Sequence, residues 1–553
     1  SATRIDRAGL IVKGRENVIL QSNSLDNATW EKRNISVTGN QSGYDGLNNA
    51  WEILPNTSSG AHYIFQFNSN SSGITTTSIY AKANGYTHFY MYLNTNTTDR
   101  AAWFNLDTGS VGTQANTLID ATITDVGNDW YRCDVKQDIA ITSVELYLGG
   151  NGENINFTGD GISSILFQDA QLELGLAASP YIPTTTTTAQ AGVLENTPRL
   201  NYTTGVANPY LLLEPSRTNL IAQSEYFGDS YWTKIGASVV GGYSSPEGLS
   251  NAYKLVEDTS TGTHRVDSIE WIFITGGTTV TQSVYVKANG RTIVGLQDNA
   301  LGAGHAVFNL STVTVLTVYG VSAKIETLPN GWFRISYTFV SGGSGSMPYK
   351  TGIYALDTYT SGTPLSNTYT GDGTSGLYIY GAQLEIGSYP TSYIPTYSVS
   401  ATRAQDVCDK TDASGEIGQT EGTLFVDIKD LVWTSSAQRL IAISDGTSSN
   451  RIILINGQSS NTLRVLISTG NVLQTSTTAA SSFGNVKVAL AYSSSGGVVF
   501  VNGSQVLSFG AVSVPACSAL YLGTEENGSG GSQPNGDYKQ ALIYKERLTN
   551  AEL

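Results

Sequence analysis

Apolar and polar residues alternate in short runs along most of this chain. Clusters of Gly, Asn, Asp and Ser interrupt the runs about every ten residues. The stretch SVYVKANG from Ser283 shows the grammar: Val284 and Val286 alternate with Tyr285 and Lys287. Asn289-Gly290 then closes the run with residues that tolerate positive φ. Asn502-Gly503 reads the same way as a hairpin turn. No long segment repeats every 3.6 positions, and the best helical stretch is the short Thr549–Leu553. This period-two pattern predicts an all-β protein made of sandwiches.

The pattern is also written twice. NVILQSNSLDNATWEK at Asn17 returns as NLIAQSEYFGDSYWTK at Asn219, and SIYAKANG at Ser78 as SVYVKANG at Ser283. TGDGISSILFQDAQLELGLAASPYIPT at Thr158 returns as TGDGTSGLYIYGAQLEIGSYPTSYIPT at Thr370. One interval separates both Trp30 from Trp232 and Trp130 from Trp332. Units this long each carry a core of their own. The reading is module A over 17–184 and module B over 219–396, with a strap at 185–218 and a linker at 397–420. A third, unrelated domain covers 421–553. SATR occurs just past module B at Ser400 and again at Ser1. Residues 1–16 are therefore expected to be a strap that follows a further module upstream.

Composition narrows the partners. The net charge is −15 and only 14% of residues are charged, with a pI near 4.7. So acidic a chain repels phosphate backbones and anionic lipid, so no nucleic-acid partner is expected. No apolar run reaches the length of a membrane span, so no membrane insertion is expected either. Cys133, Cys408 and Cys517 lie too far apart in sequence for a CxxC motif, and read as isolated thiols.

The opening NLIAQSEYF…W and the closing TGDG…YIYGAQLE…YPTSYIPT resemble a module of bacteriophage tail and fibre proteins. That module is similar to the family 4 carbohydrate-binding jelly rolls. The third region, with EGTLFVDI, ISDGTSSNRI and KQALIYKERLTNAEL, resembles a concanavalin/laminin-G-like sandwich. The fold these resemblances imply is two tandem jelly-roll β-sandwiches followed by a laminin-G-like one. The function implied is a non-catalytic virion appendage, assembled in the bacterial host cytoplasm, that binds host surface polysaccharide or glycan. Other virion proteins and further copies of the chain are the other expected partners. The alternatives are a decoration or spacer protein of the virion, and the accessory region of a polysaccharide-degrading enzyme. The relatives also carry a structural calcium. On that ground Asp160 and Asp372, in the TGDG turns, and Asp169, near the relatives' acidic ligand, are candidate ligands; module B has Gly381 in place of Asp169.

Alignment of the copies sorts their aromatic residues. The four repeated tryptophans are expected in the core. After KANG, Phe89 and Met91 align with Val294 and Leu296 and face inward. The opposite face of module A gathers His88, Tyr90, Tyr92, Trp103, Asn105, Glu145 and Tyr147. A pyranose needs flat rings for its C–H faces and amides or carboxylates for its hydroxyls, and this set offers both. The same residues would equally pack against a neighbouring domain. Module B has fewer rings there, with Gln297, His305 and Asn309 as its candidates. The four histidines show no HExxH or HxH spacing, and no nucleophile elbow or P-loop is present, so no enzyme is expected.

Overall fold

The computed structural model describes residues 2–553 except 72, 96–99, 116, 151, 204–205, 270, 299–303, 433–436, 457–461, 481–483 and 528–532. Ser1, where the first SATR begins, therefore lies outside the described residues. Among the described residues the chain is all-β: strands are joined by turns, with two short 3-10 turns at Pro329–Gly331 and Pro364–Ser366. The helix expected at Thr549–Leu553 is a single turn closed by Glu552 N–H on Thr549 O, too short to propagate.

Modules A and B are sandwiches of two six-stranded antiparallel sheets. In module A the front sheet runs Ser110–Gln114, Arg100–Asn105, His88–Asn94, Ile141–Gly149, Tyr63–Ser71, Glu31–Arg33. Its back sheet runs Asp120–Gly127, Trp130–Gln137, Thr75–Asn84, Ser164–Leu174, Ala50–Pro55, Ile35–Gln41. Module B repeats this order, with Ile293–Asp298 and His305–Asn309 in the front sheet and Thr279–Asn289 and Gly376–Ile386 in the back. The inward residues of module A's two sheets, among them Ile79, Phe89, Met91, Phe104, Leu146 and Phe167, form one core.

All four repeated tryptophans are buried, but in two different places. Trp30 and Trp232 sit between the sheets. Trp130 and Trp332 belong to small clusters separate from those cores, with Tyr80 and with Tyr285 respectively.

The third sandwich pairs a seven-stranded with a six-stranded sheet, as expected of a laminin-G-like domain. Its boundaries need correction. Leu200–Asn201 and Tyr210–Leu212, read from sequence as strap, are strands of its larger sheet, and Leu211 pairs with Tyr538. Cys408–Lys410, read as linker, is a strand of the smaller sheet. Leu213, Ala413 and Ile417 all lie in its core. These segments are rich in turn residues and have little alternation to betray them.

The segment before module A behaves in a related way. Ile11–Asn17 pairs with Thr3–Ile5 and Ala189–Gly192 in a small sheet, and its side chains reach module B. Ile11 is buried among Ala252, Tyr285, Trp332, Tyr380 and Tyr393. Lys13 Nζ forms ion pairs with Glu225 and Glu247, and Arg15 bridges Glu247 at 2.6 Å and module A's Glu173 at 3.2 Å. Burial alone would lower the Lys13 pKa, but Glu225 and Glu247 outweigh it and hold the ammonium charged well past the usual lysine range.

A second buried ionic knot centres on Glu214, which meets Arg199 and Arg403, both at 2.9 Å, and accepts from Ser392 Oγ at 2.6 Å. Burial pushes the Glu214 carboxyl up, yet Arg403 and Arg199 bring it down to about 2 from an ordinary 4.5. A depressed carboxyl adds stability that is fully present above the unfolded value and is lost as pH falls through the folded one. At roughly 1.4 kcal/mol per unit, acidification from pH 4.5 towards 2 should remove about 3 kcal/mol. Calorimetric melts across that window should show the loss, and Glu214→Gln should flatten it.

Candidate functional site

The front sheet of module A turns a band of rings outward. Strand alternation buries Phe89, Met91 and Leu93 completely and sends His88, Tyr90 and Tyr92 the other way. Pairing sets Tyr90 opposite Trp103 on one side and Tyr147 on the other, Tyr92 opposite Glu145, and His88 opposite Asn105. All seven module A candidates therefore share one face. Ring centroids lie 4.9 Å apart for Tyr90 and Trp103, and 6.4 Å apart for Tyr147 with Tyr90 and with Tyr92.

Three rings that sequence reasoning passed over extend the band. Tyr63 stacks on Tyr147 at 4.2 Å, Phe65 lies 5.6 Å from Tyr63, and Phe67 lies 5.3 Å from Phe65. The signal was present as the alternation in Tyr-Ile-Phe-Gln-Phe at Tyr63, but no counterpart in module B drew attention to it. Phe67 is 68% exposed and lines a cleft of about 1870 Å³ to which module A, the straps, the end of module B and the third domain contribute. Arg33 lies 5.5 Å over Phe65 and pairs with Glu31.

The polar candidates take narrower roles. Glu145 is buried and accepts from Ser143 Oγ and Tyr147 Oη, each at 2.8 Å. Burial, then the bond to Glu145, raises the Tyr147 phenol far above its usual range, so Tyr147 keeps its proton and donates it to Glu145. That bond fixes the angle of the Tyr147 ring. Trp103 is only 8% exposed. Gly149 packs so close that a Cβ there would come 2.8 Å from its Cζ3. Trp103 thus supports the Tyr90 ring more than it offers a face of its own. Asn105 accepts from the Asp107 and Thr108 amides at 2.9 and 3.2 Å, and Asn309 accepts from the Ser311 amide at 2.9 Å. Both Asn side-chain oxygens are committed to turns. His88 Nδ1 pairs with Thr87 Oγ1 at 2.9 Å.

Module B closes the corresponding face. Pro364 rests on Gly295, where a Cβ would come within 2.7 Å of the proline ring. Val307, Tyr354 and Leu356 are buried with Ile293 and Tyr359. Gln297 is buried, and His305 stacks on Tyr319 at 5.7 Å, its pKa lowered by burial. Gln297, His305 and Asn309 therefore do not form an open ring surface.

The calcium candidates take part in local structure. Asp160 accepts from the Ile162 and Ser163 amides, and Asp372 from the Thr374 and Ser375 amides, so both shape their turns. Asp169 is buried at φ 57°, where module B has Gly381 at φ 60°. It accepts from Tyr44 Oη at 3.0 Å, and burial pushes its carboxyl up to about 6. Among the described residues no three carboxylate, His or Cys groups converge on a metal position. Cys133, Cys408 and Cys517 are free thiols.

No protein-family profile matches this chain, and no curated protein does. Solved structures give distant likenesses. A candidate carbohydrate-binding protein from Bacteroides ovatus is 12% identical, over 50% of this chain and 78% of its own, with a TM-score of 0.21. The LG4-5 domains of the mouse laminin α1 chain are 10% identical, over 60% and 89%, with a TM-score of 0.20. A Trypanosoma rangeli sialidase is 10% identical, over 100% and 93%, with a TM-score of 0.22. Scores this low carry no assignment, so the chemistry is read from the chain's own residues.

Proposed function

We propose that the chain is a non-catalytic glycan-recognition protein of a virion appendage, and that the aromatic band of module A contacts the carbohydrate of a host cell surface. The carrying observation is the continuous row of rings from Trp103 through Tyr90, Tyr147, Tyr63 and Phe65 to Phe67 across the front sheet. Tyr63, Tyr90, Tyr92 and Tyr147 are half-buried, each held by neighbours. Rings fixed in advance stack on pyranose C–H faces with little ordering cost. Glu145, the carboxylate among the tyrosines of the band, is already bonded to Ser143 and Tyr147, and Glu31, opposite Phe65, pairs with Arg33, which favours binding over acid–base chemistry. Each contact is weak, and several copies on one particle would supply avidity. The virion setting rests on the opening and closing motifs of the modules.

A glycan array read with the intact chain tests this. Tyr90→Ala and Tyr147→Ala should each weaken binding about tenfold, on the order of 1.4 kcal/mol, with module A melting little changed in Tyr90→Ala. Binding unaffected by both changes, or no glycan bound at all, would sink the proposal. Antibody labelling of purified virions tests the setting. In module B the loop that carries Pro364 covers the same face, which favours a spacer role for that module.

A further inference from the structure

The two modules carry related receptors for a strand, differing at Glu225, where module A has Asn23, and at Tyr380, where it has Gln168; a strap fills the one on module B. In module B the receptor is Ala252, Tyr285, Trp332, Tyr380 and Tyr393, with Glu247 and Glu225 beside them. Ile11 fills it, its amide donating to Pro246 O at 3.0 Å, and Lys13 meets the two carboxylates. Leu10 lies against Gly248, and the neighbouring Leu249 is half-buried.

The duplicated sequence rebuilds most of this place in module A, and Asp169, whose amide bonds Asn23, brings a carboxylate to the position that Glu225 serves in module B. Ala50, Tyr80, Trp130 and Tyr181 stand for Ala252, Tyr285, Trp332 and Tyr393. Asp45 stands for Glu247, and each takes a hydrogen bond from the asparagine four residues on, Asn49 at 2.8 Å and Asn251 at 3.0 Å. Asp169 adds a buried carboxylate where module B has Gly381. In place of a strap, Tyr44 lies on Tyr80, with centroids 3.8 Å apart and planes 8° off parallel, and donates to Asp169. Tyr44 aligns with Pro246, the residue whose carbonyl receives Ile11. Leu47, the counterpart of Leu249, is left 62% exposed.

We propose that this face of module A is a second strap-docking site, closed by Tyr44, for a strand of another polypeptide segment carrying an aliphatic residue two positions before a lysine. The aliphatic side chain takes the Tyr44 ring's place over Tyr80 and Trp130 and covers Leu47. The lysine meets Asp45 and Asp169, as Lys13 meets Glu225 and Glu247. The carboxylates select a basic strand over an acidic one, and the bared backbone at Tyr44 offers the carbonyl that Pro246 offers in module B. The proposal is independent of the glycan reading, since it uses the opposite sheet of the module.

The test titrates a synthetic peptide with the sequence of Ala8–Glu16 into the full chain by calorimetry. Tyr44→Ala should bind it at least tenfold more tightly than the parent chain, whose own ring competes. Adding Asp45→Asn and Asp169→Asn should remove that gain, as should a peptide with methionine at the lysine position. Tyr44→Phe keeps the stacked ring and loses only the bond to Asp169, so it guards against misfolding; it should bind severalfold tighter than the parent. No gain in either Tyr44 variant would overturn the proposal. A gain that survives loss of both carboxylates would also overturn it, because the peptide would then be exchanging with the strap on module B.

Discussion

Lys13→Ala is expected to destabilise module B by about 3–5 kcal/mol, because it removes one partner from a buried ion cluster. The ammonium is buried against Glu225 and Glu247, which are themselves buried, and Tyr380 Oη also bonds both carboxylates. Without Lys13, Arg15 still meets Glu247, but Glu225 loses its ion-pair partner. Two buried like charges then face each other at the seam between modules. Differential scanning calorimetry of the full chain should show the module B transition moving down and separating from that of module A, since the strap would no longer fasten them. Lys13→Met combined with Glu225→Gln should recover most of the loss, because Glu247 keeps Arg15 as its partner and the apolar and neutral replacements need no charge compensation. A loss below about 1 kcal/mol for Lys13→Ala would mean that the seam is solvated and the strap is peripheral.

This seam was not legible in the sequence, and the reason is physical. Alternation reports which face of a strand is dry, so it revealed Phe89, Met91 and Leu93 as core and Tyr90 and Tyr92 as outward. Duplication then fixed the two modules and their buried tryptophans. Neither signal says which distant surface an extended segment will cover. Lys13 reads as an exposed strand lysine until Glu225 and Glu247 are placed around it. Leu211 and Leu213 follow Asn-Pro and read as strap, yet they pair and pack with the third domain. The site divides in the same way. The rings could be found from their spacing, whereas the covering of Gly295 by Pro364 depends on a loop with no period. Asn105 and Asn309 looked like sugar ligands because residue type alone does not show a side chain folding back on its own turn.

The duplication also separates two kinds of tryptophan, and Trp30→Ala should be the costlier change. Trp30 is fully buried between the sheets of module A, and its Nε1–H donates to Gln21 O at 3.0 Å. Its twin Trp232 donates to Gln223 O at 2.8 Å, so both copies use the indole to tie the opening loop to the core. Truncation leaves a cavity the facing sheets cannot close and takes from Gln21 O one of its two donors, the Ser24 amide remaining, a loss of about 3–5 kcal/mol. For a module of this size the melting transition should fall by on the order of 10 °C. Trp130→Ala should cost less, because Trp130 lies outside that core beside Tyr44, a side chain that can settle into the space. Glycan binding by Trp30→Ala, measured well below its transition, should match the parent chain, since none of the outward rings has moved. Tyr90→Ala should show the reverse, with binding weakened and the transition nearly unchanged. Equal losses for Trp30→Ala and Trp130→Ala would contradict the division into two sites. Weakened binding in folded Trp30→Ala would show that the band of rings depends on the inter-sheet core more closely than alternating faces imply.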